Sequence, residues 1–96
     1  MLIDKGVSSG EVVTIKLTSG EELIASLISE DEKYIKVSKP RVLTSGAQGL
    51  GMAPYLFTVS PDKDIKLSRV NVTVLEPTDA DTAKQYTSAT SGIAMI

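Results

Sequence analysis

Apolar residues recur at every second position in several short runs of the chain, the period of strands with one buried face. Between Glu11 and Thr18, Val13, Ile15 and Leu17 fall on one face and Val12, Thr14 and Lys16 on the other. Thr18-Ser19-Gly20-Glu21 follows, a turn whose glycine can take positive φ, and Leu23, Ala25 and Leu27 resume the alternation. The two runs predict a tight hairpin. Ile24 and Ile28 occupy the second run's other face, where a solvated strand would be polar, so a terminal segment or another subunit is expected to cover it.

A charged turn, Ser29 to Lys33, leads into Tyr34-Ile35-Lys36-Val37, a short third strand that Lys39-Pro40 should end, because proline cannot donate to a ladder. Thr44 to Gly51 carries glycines at 46, 49 and 51 and no periodic face, which predicts a mobile loop. Pro54 to Val59 has the composition of a fourth strand, stopped by Ser60-Pro61-Asp62, and a fifth runs from about Leu67 to Glu76. After Pro77, Thr78 as cap with Asp81 as capping acid predicts a short helix around Ala80 to Tyr86, ended by the Ser/Thr-rich Thr87 to Gly92. The organisation is thus an N-terminal arm over 1–10, a barrel over 11–77, and a helix and tail over 78–96. Five short antiparallel strands in so few residues are expected to bend strongly into a small all-β barrel, of SH3-like, OB-like or Sm-like type.

Ninety-six residues make one domain, and 42% hydrophobic with 23% charged residues is globular composition. Folding at this size buries a modest share of the chain's surface, so association is a natural source of further stability. The sequence has no His and no Cys, which removes the usual general base, the thiol nucleophile and the common zinc and iron sites. No enzymatic activity, cofactor or metal is expected. The formal charge of −2 provides no global pull toward polyanions, so any basic site must be local. Neither a secretory signal nor a membrane-length apolar run is present, and a cytoplasmic protein without a membrane partner is expected.

Val13-x-Ile15-x-Leu17-x-x-Gly20, then Leu23-x-Ala25-x-Leu27-x-x-x-Asp31 and the branched pair Ile35 and Val37, resembles the first signature of the Sm-like (LSm, Hfq-type) family. The resemblance covers about residues 11 to 38, with a weaker echo in Ile65 to Leu75. The Gly-rich loop and Ser/Thr-rich tail resemble Sm-like sequences of phage, cyanophage-type, origin; for a phage protein the compartment would be the host cytoplasm. Gly20, Ala25, Leu27 and Asp31 carry the fold signature: Gly20 for a positive-φ turn, Ala25 for a sharply bent strand. The resemblance implies a homo-oligomeric ring, here of about five to seven subunits, in which neighbouring subunits pair their fourth and fifth strands. Tyr55, Leu56, Phe57, Val59, Val70 and Val72 are the candidate interface residues. The family's base-stacking and uracil-reading positions fall on Lys33 and Ile35, neither of which does that work, and no Arg-Gly stands at Lys66-Leu67 or Arg69-Val70.

Lys33, Lys36, Lys39 and Arg41 place four cations within nine residues, and with Lys66 and Arg69 they form a candidate phosphate-binding rim. A solvated turn balanced by Glu30, Asp31 and Glu32 is the plainer reading of the same residues. Two functions follow. One is a non-catalytic ring binding RNA or single-stranded nucleic acid with low sequence specificity. The other is a phage accessory, structural assembly or protein-interaction module with no nucleic-acid role.

Overall fold

The structure, a computed structural model, describes residues 9–47 and 49–91. The expected N-terminal arm falls almost entirely outside these residues, as does the apolar end 93–96. Among the described residues the strands are β1 (Val12–Leu17), β2 (Glu22–Glu30), β3 (Tyr34–Gly46), β4 (Gly49–Pro54), β5 (Ile65–Ser68) and β6 (Val72–Pro77). A 3-10 turn, Arg69–Asn71, joins β5 to β6, and helix α1 spans Ala80–Thr90. The strands form one antiparallel sheet in the order β4-β3-β2-β1-β6. β5 lies on the same edge of β3 as β4, pairing Tyr34–Val37 while β4 pairs Arg41–Gly46. The sheet has six strands rather than five and its ladder is not closed.

What bends it is the alternation of the first three strands. Val13, Ile15, Leu17, Leu23, Ala25, Leu27, Ile35 and Val37 form one buried cluster, joined by Leu67 of β5 and flanked by Val72 and Leu75 of β6. β5 and β6 hang from opposite flanks of the sheet, so a shared core requires the sheet to fold over on itself. The 3-10 turn holds that closure: Thr18 N donates to Asn71 O and Arg69 N to Lys33 O, each at 2.8 Å. One turn of backbone thereby ties the β1–β2 turn to the β2–β3 turn. It also splits the expected continuous strand from Leu67 to Glu76.

Pro40 does not end the third strand. Ile24 pairs Arg41 and Ser26 pairs Ser38, leaving Lys39 and Pro40 opposite Ala25 alone, a β-bulge that absorbs the missing proline donor. Ala25, fully buried, provides the room. Beyond the bulge β3 continues into a hairpin with β4, where a mobile loop was expected. At Gly51 a Cβ would meet Thr44 Oγ1 at 2.9 Å, so a larger residue there requires the Thr44 side chain to turn away. Tyr55 to Val59, expected as a strand, is a loop instead. β5 already holds the remaining edge of β3, and Tyr55 packs against the core.

Helix α1 is capped by Asp79 rather than Thr78: Asp79 Oδ1 accepts from Thr82 N at 2.9 Å. Thr78 pins the chain to β1, its Oγ1 2.8 Å from Thr14 Oγ1. The helix continues through the Ser/Thr-rich stretch to Thr90, past its expected end. It covers the outer face of the sheet, where Tyr86, Thr87 and Thr90 border Val12, Ser26 and Ser38. A terminal segment thus borders that face at Ser26; Ile24, on the same face, is fully buried. Docking is mainly polar. The Tyr86 hydroxyl donates to Lys39 O at 2.7 Å, and Lys39 Nζ donates to Thr90 O at 3.0 Å, placing a cation at the helix C-terminus. Lys39 has φ +52°, a strain of roughly 1–3 kcal/mol that these contacts hold in place.

Gly20 has φ +108°, and the space where a Cβ would stand is open, with no neighbouring atom within 4 Å, so a side chain there would be opposed by backbone conformation alone. Gly20→Val should lower stability by more than about 1 kcal/mol in chemical denaturation, and an unchanged midpoint would contradict this. Burial pushes the Tyr86 hydroxyl up to about 12, against a smaller opposing pull from Arg41. Since the folded value lies above the unfolded one of about 10, the contribution of Tyr86 is complete below pH 10 and lost as pH rises toward 12. Tyr86→Phe should cost about 1 kcal/mol at neutral pH and remove this alkaline loss, both read from denaturation across pH.

Candidate nucleic-acid interface

The β2–β3 turn is built by Asp31. Its Oδ1 accepts from Lys33 N and Tyr34 N, each at 2.8 Å, while its own N–H donates to Tyr34 O at 2.9 Å. The bonds from Tyr34 and then Lys33 hold the Asp31 carboxyl below its usual range, helped by Lys66 and Arg69. This Asx turn fixes where Tyr34 leaves the sheet.

Tyr34 and Lys36 lie on the outer face of β3, since their neighbours Ile35 and Val37 are in the core. Across the ladder Lys36 pairs directly with Lys66, and Tyr34 with Ser68. Lys66 Nζ sits 5.1 Å from the centroid of the Tyr34 ring, a cation–π contact that holds the ammonium on one ring face. Tyr34 as a whole remains 42% exposed. Asp31, Glu32, Lys33, Tyr34 and Lys66 line an open cleft of about 420 Å³ here. The arrangement offers an aromatic platform flanked by three lysines, with Asp31 and Glu32 offsetting part of their charge. An exposed ring can stack any base, and nearby ammonium groups can follow a phosphate backbone without reading sequence.

The six cations singled out from sequence do not all converge. Lys33, Lys36 and Lys66 do. Arg69 is beside them through its N–H bond to Lys33 O, but its guanidinium is paired with Glu30 Oε1 at 2.8 Å. Lys39 and Arg41 are elsewhere: Lys39 is at the end of α1, and Arg41 donates to Pro61 O at 2.7 Å and lies 3.5 Å from Asp62 Oδ1. An unbroken two-residue period would put Lys39 and Arg41 on the buried face with Ile35 and Val37; the bulge releases both from it, but Lys39 turns to the end of α1 and Arg41 to the chain at Pro61 rather than to Lys36. Sequence reasoning missed Tyr34, which stands between the two positions compared with the family's base-contacting pair. Its signal was an aromatic residue on the polar face of a strand. Ile35 is fully buried and presents nothing to a ligand.

Of the four signature residues, Gly20 lies in a positive-φ turn, Ala25 opposite the bulge, Leu27 in the core and Asp31 in the β2–β3 turn. Of the candidate interface residues, Tyr55 and Val72 pack on the core and Val59 is half-buried, whereas Leu56, Phe57 and Val70 are exposed. Among the described residues no group of three or more acidic side chains could hold a metal ion, and no helix is long and apolar enough to cross a membrane. No protein-family model matches the chain, nor does any curated protein.

Asp31 contributes stability above its ordinary pKa near 4, and the contribution is lost as pH falls through its lowered value. Asp31→Asn should therefore show a smaller loss of stability than the wild type between about pH 5 and pH 2. Superimposable acid profiles would show that the turn bonds do not favour the carboxylate.

Proposed function

We propose that the protein is a non-catalytic, homo-oligomeric Sm-like ring that binds RNA or single-stranded nucleic acid with low sequence specificity. The observation that carries this reading is the exposed Tyr34 with Lys66 over its ring and Lys36 directly across the ladder from Lys66. The curved antiparallel sheet and the tie between the β2–β3 turn and the 3-10 turn are what such a ring subunit needs. The described residues also leave β4 and β5 paired only to β3 along one edge of the sheet, and β6 only to β1 along the other. Each subunit thus offers two free edges that a neighbour's strand can extend. A ring of about five to seven copies would repeat a weak basic patch around one rim, where multivalency strengthens it.

A second reading, an assembly module of phage type with no nucleic-acid role, is favoured by one feature. No residue between Arg41 and Asp62 carries a charge, and this uncharged stretch includes an exposed Leu50, Leu56 and Phe57.

Fluorescence anisotropy on poly-U and poly-A strands separates the two. The wild type should bind both at low salt with similar affinity. Replacing Lys33, Lys36 and Lys66 together by Gln should lower affinity and salt slope on both strands, and Tyr34→Ala should lower affinity by up to about 1–3 kcal/mol per stacked base. Strong uracil preference would contradict low specificity, and absence of binding at low salt would favour the assembly module.

A further inference from the structure

Phe57 is 91% exposed, yet the loop carrying it is held rather than loose. Arg41 pairs with Pro54 where the loop begins and donates to Pro61 O at 2.7 Å where it ends, and its side chain is only 14% exposed. Asp62 adds a contact to the same guanidinium at 3.5 Å, and Lys63 N donates to Ser60 O at 3.0 Å. A large apolar ring is thus presented on a preorganised mount, the arrangement that costs least to bind.

The same chain carries a cleft that fits it. A recess of about 470 Å³ opens between the β1–β2 turn, the start of this loop, β5 and the 3-10 turn. Leu17 and Leu67 of the core lie in its lining with Ile65, Tyr55 and Leu56, and Lys66 borders it. A cavity of about 150 Å³ already admits a benzene ring, so there is room for a phenylalanine side chain. Phe57 does not occupy it, although its two preceding neighbours line it. We propose that Phe57 of one copy seats in this cleft of the next, a head-to-tail contact between copies of this chain. The occupant is a second copy because the chain supplies both knob and hole, and within one chain Phe57 stands in solvent outside the cleft. The loop brings no charge of its own to this largely apolar lining, since none stands between Arg41 and Asp62. A contact using different patches on the two partners propagates until it closes, as a ring does.

This inference rests on the homo-oligomeric reading above and specifies its contact. Light scattering coupled to size-exclusion chromatography tests it with two surface variants, Phe57→Ser, which removes the knob, and Thr18→Trp, which fills the cleft from its exposed rim. Circular dichroism should show unchanged β structure in both. Each alone should self-associate at least about tenfold more weakly than the wild type. Mixed, they should form a one-to-one dimer of twice the 10.2 kDa chain mass, since one keeps the hole and the other the knob. If Phe57→Ser assembles like the wild type, the knob is refuted while a ring held by strand edges stands. A mixture no more associated than its components refutes the head-to-tail geometry. A wild type that remains at 10.2 kDa at micromolar concentration refutes both the contact and the oligomer.

Discussion

Two backbone hydrogen bonds on either side of one 3-10 turn hold the rest of the molecule in shape. Arg69 N to Lys33 O and Asn71 O from Thr18 N draw the two ends of a curved sheet together over Leu67, Val72 and Leu75. β5 and β6 are laddered to β3 and β1 without them, but these bonds fix the turn that joins the two strands across the inner faces of β1 to β3. The same two bonds bring the β2–β3 turn beside β5. The aromatic and basic patch is therefore a by-product of closing the core, positioned by main chain rather than by its own side chains.

The outer face is stabilised differently. Helix α1 buries little beyond Tyr86 and Thr90, and its attachment depends on groups the sheet exposes at a single irregularity. The bulge at Lys39-Pro40 turns out carbonyls for the Tyr86 hydroxyl and aims a lysine at the last helical carbonyl. A strained residue and a weakly apolar helix support each other there, which neither would do alone. Net hydrogen-bond contributions are about 1 kcal/mol each, comparable to the strain they offset.

How far the sequence foretold this depends on whether a segment's period or its surroundings decide its structure. β1, β2 and the start of β3 are written in alternation, and Gly20 and Asp31 in turn chemistry, so all were legible. β4 was not, because glycine, alanine and serine have no face to show and the hairpin forms by continuing β3. Tyr55 to Val59 misled in the opposite sense: its composition suits a strand, but the edge it would need belongs to β5 and Arg41 draws its end back. Only half of the cationic cluster was legible, since proximity in sequence does not reveal the partners, Thr90 O for Lys39 and Pro61 O for Arg41, that draw a side chain away. Tyr34 was visible only as a member of a strand, and its importance comes from Lys66, which lies far along the chain.

The charge-free stretch between Arg41 and Asp62 gives the molecule a divided response to its solvent. Mobile ions screen the lysine-rich rim, so whatever is held there by charge is weakened as ionic strength rises. They have nothing to screen on the hairpin and the Phe57 loop, and strongly hydrated salts such as sulfate increase the tendency of such surface to be buried. One surface thus becomes less adhesive and the other more so under the same change of medium. Electrolyte composition, rather than pH, is the variable to which this His-free protein is built to be sensitive near neutrality.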